Sequence, residues 1–134
     1  MRKDERPERP AVGRLKRRAD FLRVAALRRK WAAPGLILQV SPQPQSESEG
    51  PAEDTIRVGF TASRKVGNAV KRNRARRRLK ALVREMIATG ANPGLDLVLI
   101  ARPATVDRPF DELRRDLQQS LQRTKAARKS RDIH

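Results

Sequence analysis

SRKVGNAVKRNRARRRLKALVRE, residues 63–85, holds ten Lys and Arg side chains ahead of its first acid, Glu85. A run of that density on its own belongs to a disordered tail. Here, however, Ala75, Leu79, Leu82, Val83, Met86 and Ile87 recur at offsets of four, seven, eight, eleven and twelve residues. Such spacing is the apolar stripe of an amphipathic helix. On a helical wheel Arg72, Arg76 and Lys80 climb one edge of the stripe at successive turns, with Asn73, Arg77 and Arg84 just outside it. Lys71, Arg74 and Arg78 fall on the opposite flank. A helix of this kind is anchored in a core by its second half and presents a cationic ridge along its first. The natural partner of the ridge is a polyphosphate. A merely solvated face would carry balancing acids, and this stretch has none before Glu85.

The entry to the helix points the same way. Val66-Gly67-Asn68 supplies a turn in which Gly can take positive φ, and Asn68 is a good N-cap whose side-chain oxygen accepts from first-turn amides. Cations so close to a helix N-terminus oppose the macrodipole. A bound anion would relieve that opposition, because free N–H groups and guanidinium groups would converge on the same phosphate.

Outward from this stretch, the 134 residues amount to one domain with trimmings at both ends. The formal charge of +17 favours a nucleic-acid or anionic-membrane partner. The absence of Cys removes disulfides and thiolate metal sites and suits a reducing cytoplasm. No apolar run approaches the ~20 residues that span a bilayer, and the charged N-terminus has no apolar signal-peptide core.

Residues 1–13 mix Arg, Glu, Pro and Lys without periodicity and are expected to form a disordered basic arm. A domain over residues 14–124 follows. LKRRADFLRVAALRRKW carries an imperfect apolar face, with Asp20 as a candidate helix cap. After Pro34-Gly35, residues 36–40 read as a short strand. Residues 41–54, SPQPQSESEGPAED, form a loop insert with four acids and nothing to bury. Residues 55–63 alternate Ile56, Val58, Phe60 and Ala62 against Arg57, Gly59, Thr61 and Ser63, the pattern of a half-buried strand. Beyond the basic helix, LDLVLIA at 95–101 is a buried strand. Phe110, Leu113, Leu117 and Leu121 mark a final helix with Asp107 or Pro109 near its start, and residues 125–134 make a basic tail. The class is α+β.

Catalytic groups are scarce. His134, the only His, is the last residue, and no Ser has a base to activate it. Asp96 and Asp107 read as a strand start and a cap rather than as metal ligands. Trp31 suits a core edge or RNA stacking equally well.

Gly59-Phe60-Thr61-Ala62-Ser63-Arg64-Lys65-Val66-Gly67-Asn68-Ala69-Val70, followed by Arg72-Asn73-Arg74, resembles the signature of the protein subunit family of bacterial ribonuclease P. The resemblance extends from about residue 14 to about residue 124. It implies a small four-stranded, mostly antiparallel sheet packed with helices in the order α-β-β-β-α-β-α, with a left-handed βαβ crossover where the usual chirality rule would give the opposite hand. The function it implies is removal of the 5′ leader from precursor tRNA, with the active site and its Mg²⁺ ions in the RNA subunit and none bound by the protein. Implied partners are the ribonuclease P RNA, in a heterodimer of one RNA and one protein, and precursor tRNA, with no membrane. Carried over for the RNA subunit are Arg72, Asn73, Arg74, Arg76, Arg77 and Lys80, with Ser63, Arg64, Lys65 and Asn68 beside them. Phe21 and Gln39 are carried over for a leader cleft between the first helix and the sheet. Phe21 is equally open to ordinary packing, and Ala25 and Gln39 stand where relatives place further aromatics. Ribosomal and nucleoid DNA-binding proteins share the charge but lack the ordered motif.

Overall fold

The computed structural model describes residues 10–44 and 55–128. Along the chain lie β1 (Ala11–Arg14), α1 (Arg18–Leu27), β2 (Lys30–Ala32), β3 (Leu36–Pro42), β4 (Thr55–Thr61), α2 (Ala69–Gly90), β5 (Leu95–Ala101) and α3 (Phe110–Arg123). Single 3₁₀ turns at Arg64–Val66 and Pro103–Val106 lead into α2 and α3. The sheet order is β1-β4-β5-β3-β2.

Alternation along the strands assigns each face. Ile56 and Val58 of β4, Leu95, Leu97 and Leu99 of β5, and Leu36, Leu38 and Val40 of β3 turn to one side. There they meet Ala75, Leu79, Leu82, Val83 and Ile87 of α2 and Leu113, Leu117 and Leu121 of α3, forming the main core. The other face carries α1, and Leu15, Val24 and Val98 are buried beneath it with Phe21 and Ile100 packed alongside. Because β4 and β5 are parallel neighbours, the chain between them must cross back over the sheet, and α2 is that crossover.

The sheet is larger and more mixed than the expected four-stranded, mostly antiparallel one. It has five strands: β1 with β4 and β4 with β5 are parallel, while β2 with β3 and β3 with β5 are antiparallel. The order is therefore β-α-β-β-β-α-β-α, not α-β-β-β-α-β-α. β1 has all four residues exposed and β2 has its two end residues exposed, so neither shows the buried alternation that marks a strand in sequence. Backbone pairing alone makes them strands.

Element boundaries shift accordingly. Residues 11–13, assigned to the arm, pair with Thr55, Ile56 and Arg57. Ser41 and Pro42, assigned to the insert, close β3 opposite Asp96 and Leu95. In the expected tail, Ala126 is buried and Ala127 bridges Ala91. The remainder of the arm (1–9), of the insert (45–54) and of the tail (129–134) lies outside the described residues.

One polar cluster joins α1 to the sheet. Asp96, at the start of β5, is 0% exposed and accepts two hydrogen bonds from Arg57, Nε at 2.8 Å and Nη2 at 2.7 Å, and a third from Arg23 Nη2. The hydrogen bond to Asp96 raises the Arg57 pKa above its ordinary value against the opposing effect of burial. Asp20 sits in the first turn of α1 with its carboxylate 3.2 Å from Arg23; the N-cap position is held by Arg17 without a side-chain cap. Removing the Asp96 carboxylate leaves two arginines facing a buried void, so Asp96→Ala should cost about 3 to 5 kcal/mol. Asp107, 87% exposed and 3.8 Å from Arg74, should tolerate the same change with little effect. Parallel urea melts of the two variants check this contrast, and equal stability would overturn the structural role given to Asp96.

Candidate nucleic-acid interface

The approach to α2 is built from two consecutive caps. Ser63 Oγ accepts from the Lys65 amide at 3.3 Å, and Asn68 Oδ1 accepts from the Lys71 amide at 3.0 Å, which satisfies donors that the helix start cannot. Between them Gly67 has φ +142°, and a Cβ there would stand 2.7 Å from Lys71 Cδ. Only Gly suits both the angle and the space. Ser63, Arg64, Lys65 and Asn68 are all exposed along this bend.

The ridge itself divides into two kinds of cation. Arg72 Nη1 turns back to the Gly67 carbonyl at 3.2 Å, and Arg76 Nη1 donates to Asn73 Oδ1 at 3.0 Å. Lys80 Nζ lies 6.0 Å from the centroid of the Phe60 ring. These contacts are local and leave Arg72, Arg76 and Lys80 half-buried, beside Arg77 and Arg84, which are exposed. Val70, 73% exposed, stands among them. Under Lys80 and Arg84 a recess of about 330 Å³ is floored by Val12, Val58, Phe60 and Val83.

Arg74, which stays exposed, and Arg78, half-buried, are tied to backbone carbonyls on the opposite flank. Arg74 Nε donates to the Val106 carbonyl at 2.9 Å. Arg78 donates to the carbonyls of Thr105 at 2.8 Å, Val106 at 2.9 Å and Arg108, and its guanidinium lies 5.8 Å from the Phe110 centroid. Burial, followed by the neighbouring Arg74 charge, pushes the Arg78 pKa down. Arg74, a candidate RNA ligand, thus has a structural task as well, holding the turn between β5 and α3. The signal for that task lies in carbonyls about thirty residues away, which no local pattern discloses.

On the other face of the sheet, the Phe21 ring reaches Gly59 of β4. A Cβ on Gly59 would be 2.5 Å from Phe21 Cζ, so the ring occupies space that any larger residue would take. Gly59, Val98 and Gln39 fall in one row across β4, β5 and β3. Phe21, seated over Gly59, and Gln39 therefore share one face, the Gly59 and Gln39 backbones being two strand spacings or about 10 Å apart, with half-buried Ile100 and Ile37 paired one row further on. Sequence reading placed Phe21 and Gln39 here but missed Arg23 and Arg57, whose donors border the same face around Asp96.

Comparisons with known proteins bear on the family and the fold. The Ribonuclease P family model matches residues 10–125. The ribonuclease P protein component of Paramagnetospirillum magneticum is 55% identical over 119 residues, covering 89% of this chain and 87% of the relative. That of Ruegeria pomeroyi is 46% identical over 113 residues, covering 84% and 86%. The RNase P protein structure from Staphylococcus aureus superimposes with a TM-score of 0.66 at 23% identity, covering 86% of this chain and 97% of that one. The Thermotoga maritima structure gives 0.63 at 23%, covering 79% and 92%. At those identities the structural likeness is one of fold.

The two kinds of cation should respond differently to substitution. Replacing Arg72, Arg76 and Lys80 together by Gln removes three charges and only local contacts, so the melting curve should barely move while affinity for structured RNA falls sharply. Arg78→Ala strips the Thr105 and Arg108 carbonyls of its guanidinium, leaves the Val106 carbonyl with Arg74 alone, and should cost about 1 to 3 kcal/mol. Circular dichroism melts beside filter binding separate the effects. A triple variant that unfolds, or one that binds RNA as tightly as the parent, would show the faces to be assigned the wrong way round.

Proposed function

We infer the function from one premise, that the chain belongs to the ribonuclease P protein family, whose model matches residues 10–125. It is the protein subunit of ribonuclease P, binding the RNA subunit and precursor tRNA and assisting removal of the 5′ leader, with catalysis residing in the RNA. The observation that carries the assignment of surfaces is the cationic ridge of Arg72, Arg76, Arg77 and Lys80 on a capped, core-anchored helix.

The division of labour follows from the groups available. Hydrolysis of a phosphodiester needs an activated water and charge stabilisation at the leaving oxygen, which metal ions held by clustered acids commonly provide. Every acid among the described residues is engaged by arginine, and no group of three His, Cys, Asp or Glu there could hold a metal ion. The described residues do not fit a Mg²⁺ site, and the Mg²⁺ that the reaction requires is assigned to the RNA subunit.

What the chain supplies is positive potential and shape. The ridge and its approach (Ser63, Arg64, Lys65, Asn68, Arg72, Asn73, Arg74, Arg76, Arg77 and Lys80) take the RNA subunit, lowering the repulsion between a polyanionic catalyst and a polyanionic substrate. The face carrying Phe21 and Gln39 takes the extended leader, with the Phe21 ring available at the edge of its packing cluster for one base. The holoenzyme pairs one protein with one RNA in the cytoplasm. No helix among the described residues is long and apolar enough to cross a membrane.

RNA-free protein should not cleave precursor tRNA at any Mg²⁺ concentration. Added to the RNA subunit, it should lower the Mg²⁺ requirement and tighten binding more for tRNA with a leader than for mature tRNA. Phe21→Ala should erode that preference while sparing assembly with the RNA subunit. Scission at the mature 5′ end by RNA-free protein would sink the division of labour, and equal tightening for both tRNAs would sink the cleft.

A further inference from the structure

The recess beneath Lys80 and Arg84 has no part in the surfaces assigned so far, although it opens beside the ridge. Its position follows from the sheet register. Val12 and Arg14 of β1 lie opposite Ile56 and Val58 of β4, and Ile56 and Val58 point into the core beneath α2, so Val12 and Arg14 face α2 as well. The space between β1, β4 and α2 measures about 330 Å³ and is lined by Val12, Val58, Phe60, Val83 and Ala88 below the cations. Of the residues that α2 contributes, Ala88 has the smallest side chain, and a larger one there would fill the space.

The lining defines what the recess can hold. Phe60 is half-buried and Val12 is 40% exposed, so an aromatic ring and an apolar side chain remain accessible on its floor. Arg14 and Arg84, both exposed, stand at its mouth with half-buried Lys80, whose Nζ lies 6.0 Å from the Phe60 centroid. None of its lining residues is an acid, and none has an amide or hydroxyl side chain. Its volume is at the small end of the range for ligand pockets, which suits a single ring system rather than a helix or a strand.

The recess also continues the ridge. Arg72, Arg76, Lys80 and Arg84 follow one another at four-residue spacing, about 6 Å apart along the helix axis, and Ala88 is the next step of the same row. An RNA strand whose phosphates run along the ridge therefore reaches the recess without leaving α2. The face that carries Phe21 and Gln39 is on the opposite side of the sheet, so the recess is separate from the leader cleft.

We propose that the recess holds one unstacked nucleobase of the RNA subunit, with the flanking phosphates on Arg14, Lys80 and Arg84. This rests on the ribonuclease P reading above, which places the RNA subunit on the ridge. An apolar floor with one aromatic ring suits the π-face of any base, and cations at the mouth suit the phosphodiesters on either side of an extruded nucleotide. With no amide or hydroxyl side chain to pair with base edges, the recess selects an unpaired base by its accessibility and not by its identity.

The test uses full-length protein carrying Ala88→Leu, which fills the recess, leaves the charge unchanged and keeps good helix propensity. Binding to the RNA-subunit transcript is measured between 50 and 200 mM salt beside a melt, and base-specific chemical probing of the assembled holoenzyme reads each unpaired base. Losing one stacked base should weaken assembly about tenfold while the log-log salt slope stays the same, because no cation is removed. One base protected by the parent protein should become reactive with Ala88→Leu. Val12→Glu, which sets an anion at the exposed mouth, should reproduce the loss even where Ala88→Leu fails to fold. Gln119→Glu, the same charge change on the exposed side of α3, should not. Assembly and probing patterns unchanged by Ala88→Leu and Val12→Glu would overturn the proposal and leave the recess to an acidic protein segment. Intact assembly with weakened binding of precursor tRNA to the holoenzyme would overturn the choice of RNA. Parent protein that fails to assemble with the RNA subunit would instead overturn the ribonuclease P assignment, and this inference with it.

Discussion

Burial of the apolar arc of α2 against β4 and β5 is the interaction on which the structure depends. Leu79, Leu82 and Ile87 are fully buried and Val83 nearly so, and at about 1.5 to 3 kcal/mol each they contribute on the order of 10 kcal/mol. The same helix places Arg72, Arg76, Lys80 and Arg84 four residues apart along one edge, and like-charge neighbours at that spacing cost a few tenths of a kcal/mol each. Burial wins by an order of magnitude. That margin lets one element be both the crossover between parallel strands and the carrier of an uncompensated charge ridge.

The distribution of acids reinforces this division. A chain with a charge of +17 has few carboxylates to deploy, and three of those among the described residues lie at joints. Asp96 joins α1 to β4 and β5, Asp116 joins α3 to Arg108 and the Gly35 amide, and Glu85 joins α2 to Arg114 of α3. Each is met by arginine, whose fork can satisfy two carboxylate oxygens at once. Carboxylates fixed in this way do not neutralise the cationic ridge of α2, so arginines that hold the fold together and arginines of the ridge share one residue type without cancelling.

What could be read from sequence follows from the range over which each signal acts. The α2 stripe, the β4 alternation and the LDLVLIA run are local patterns produced by burial, and the structure places those elements where the patterns put them. β1 and β2 leave no such trace, because exposed edge strands are defined by partners such as Ile56 and Leu38 elsewhere in the chain. The same limit applies to side chains. Asp96 reads as an ordinary strand start until Arg57 and Arg23, 39 and 73 residues away, close on it. Arg74 and Arg78 look like any other cations of the run until the Val106 carbonyl is brought alongside. Sequence alone therefore tells how much charge the helix carries, and only the fold tells which part of it is free.

The free part is placed where it is least comfortable. Arg64, Lys65, Lys71 and Arg72 crowd the N-terminal end of α2, whose macrodipole prefers anions. The local structure compensates by capping: Asn68 meets the Lys71 amide, and Arg72 folds back to the Gly67 carbonyl, which draws its charge toward an acceptor. Capping satisfies hydrogen bonds but leaves the repulsion among the cations in place. A ligand that supplies phosphates here would remove that repulsion and complement the dipole in one step, so binding would stabilise the folded chain as well as the complex. The discomfort of the unbound helix end is thus a physical reason for it to favour a polyanion. The apolar second half of α2, fixed in the core, is what keeps that end folded until the polyanion arrives.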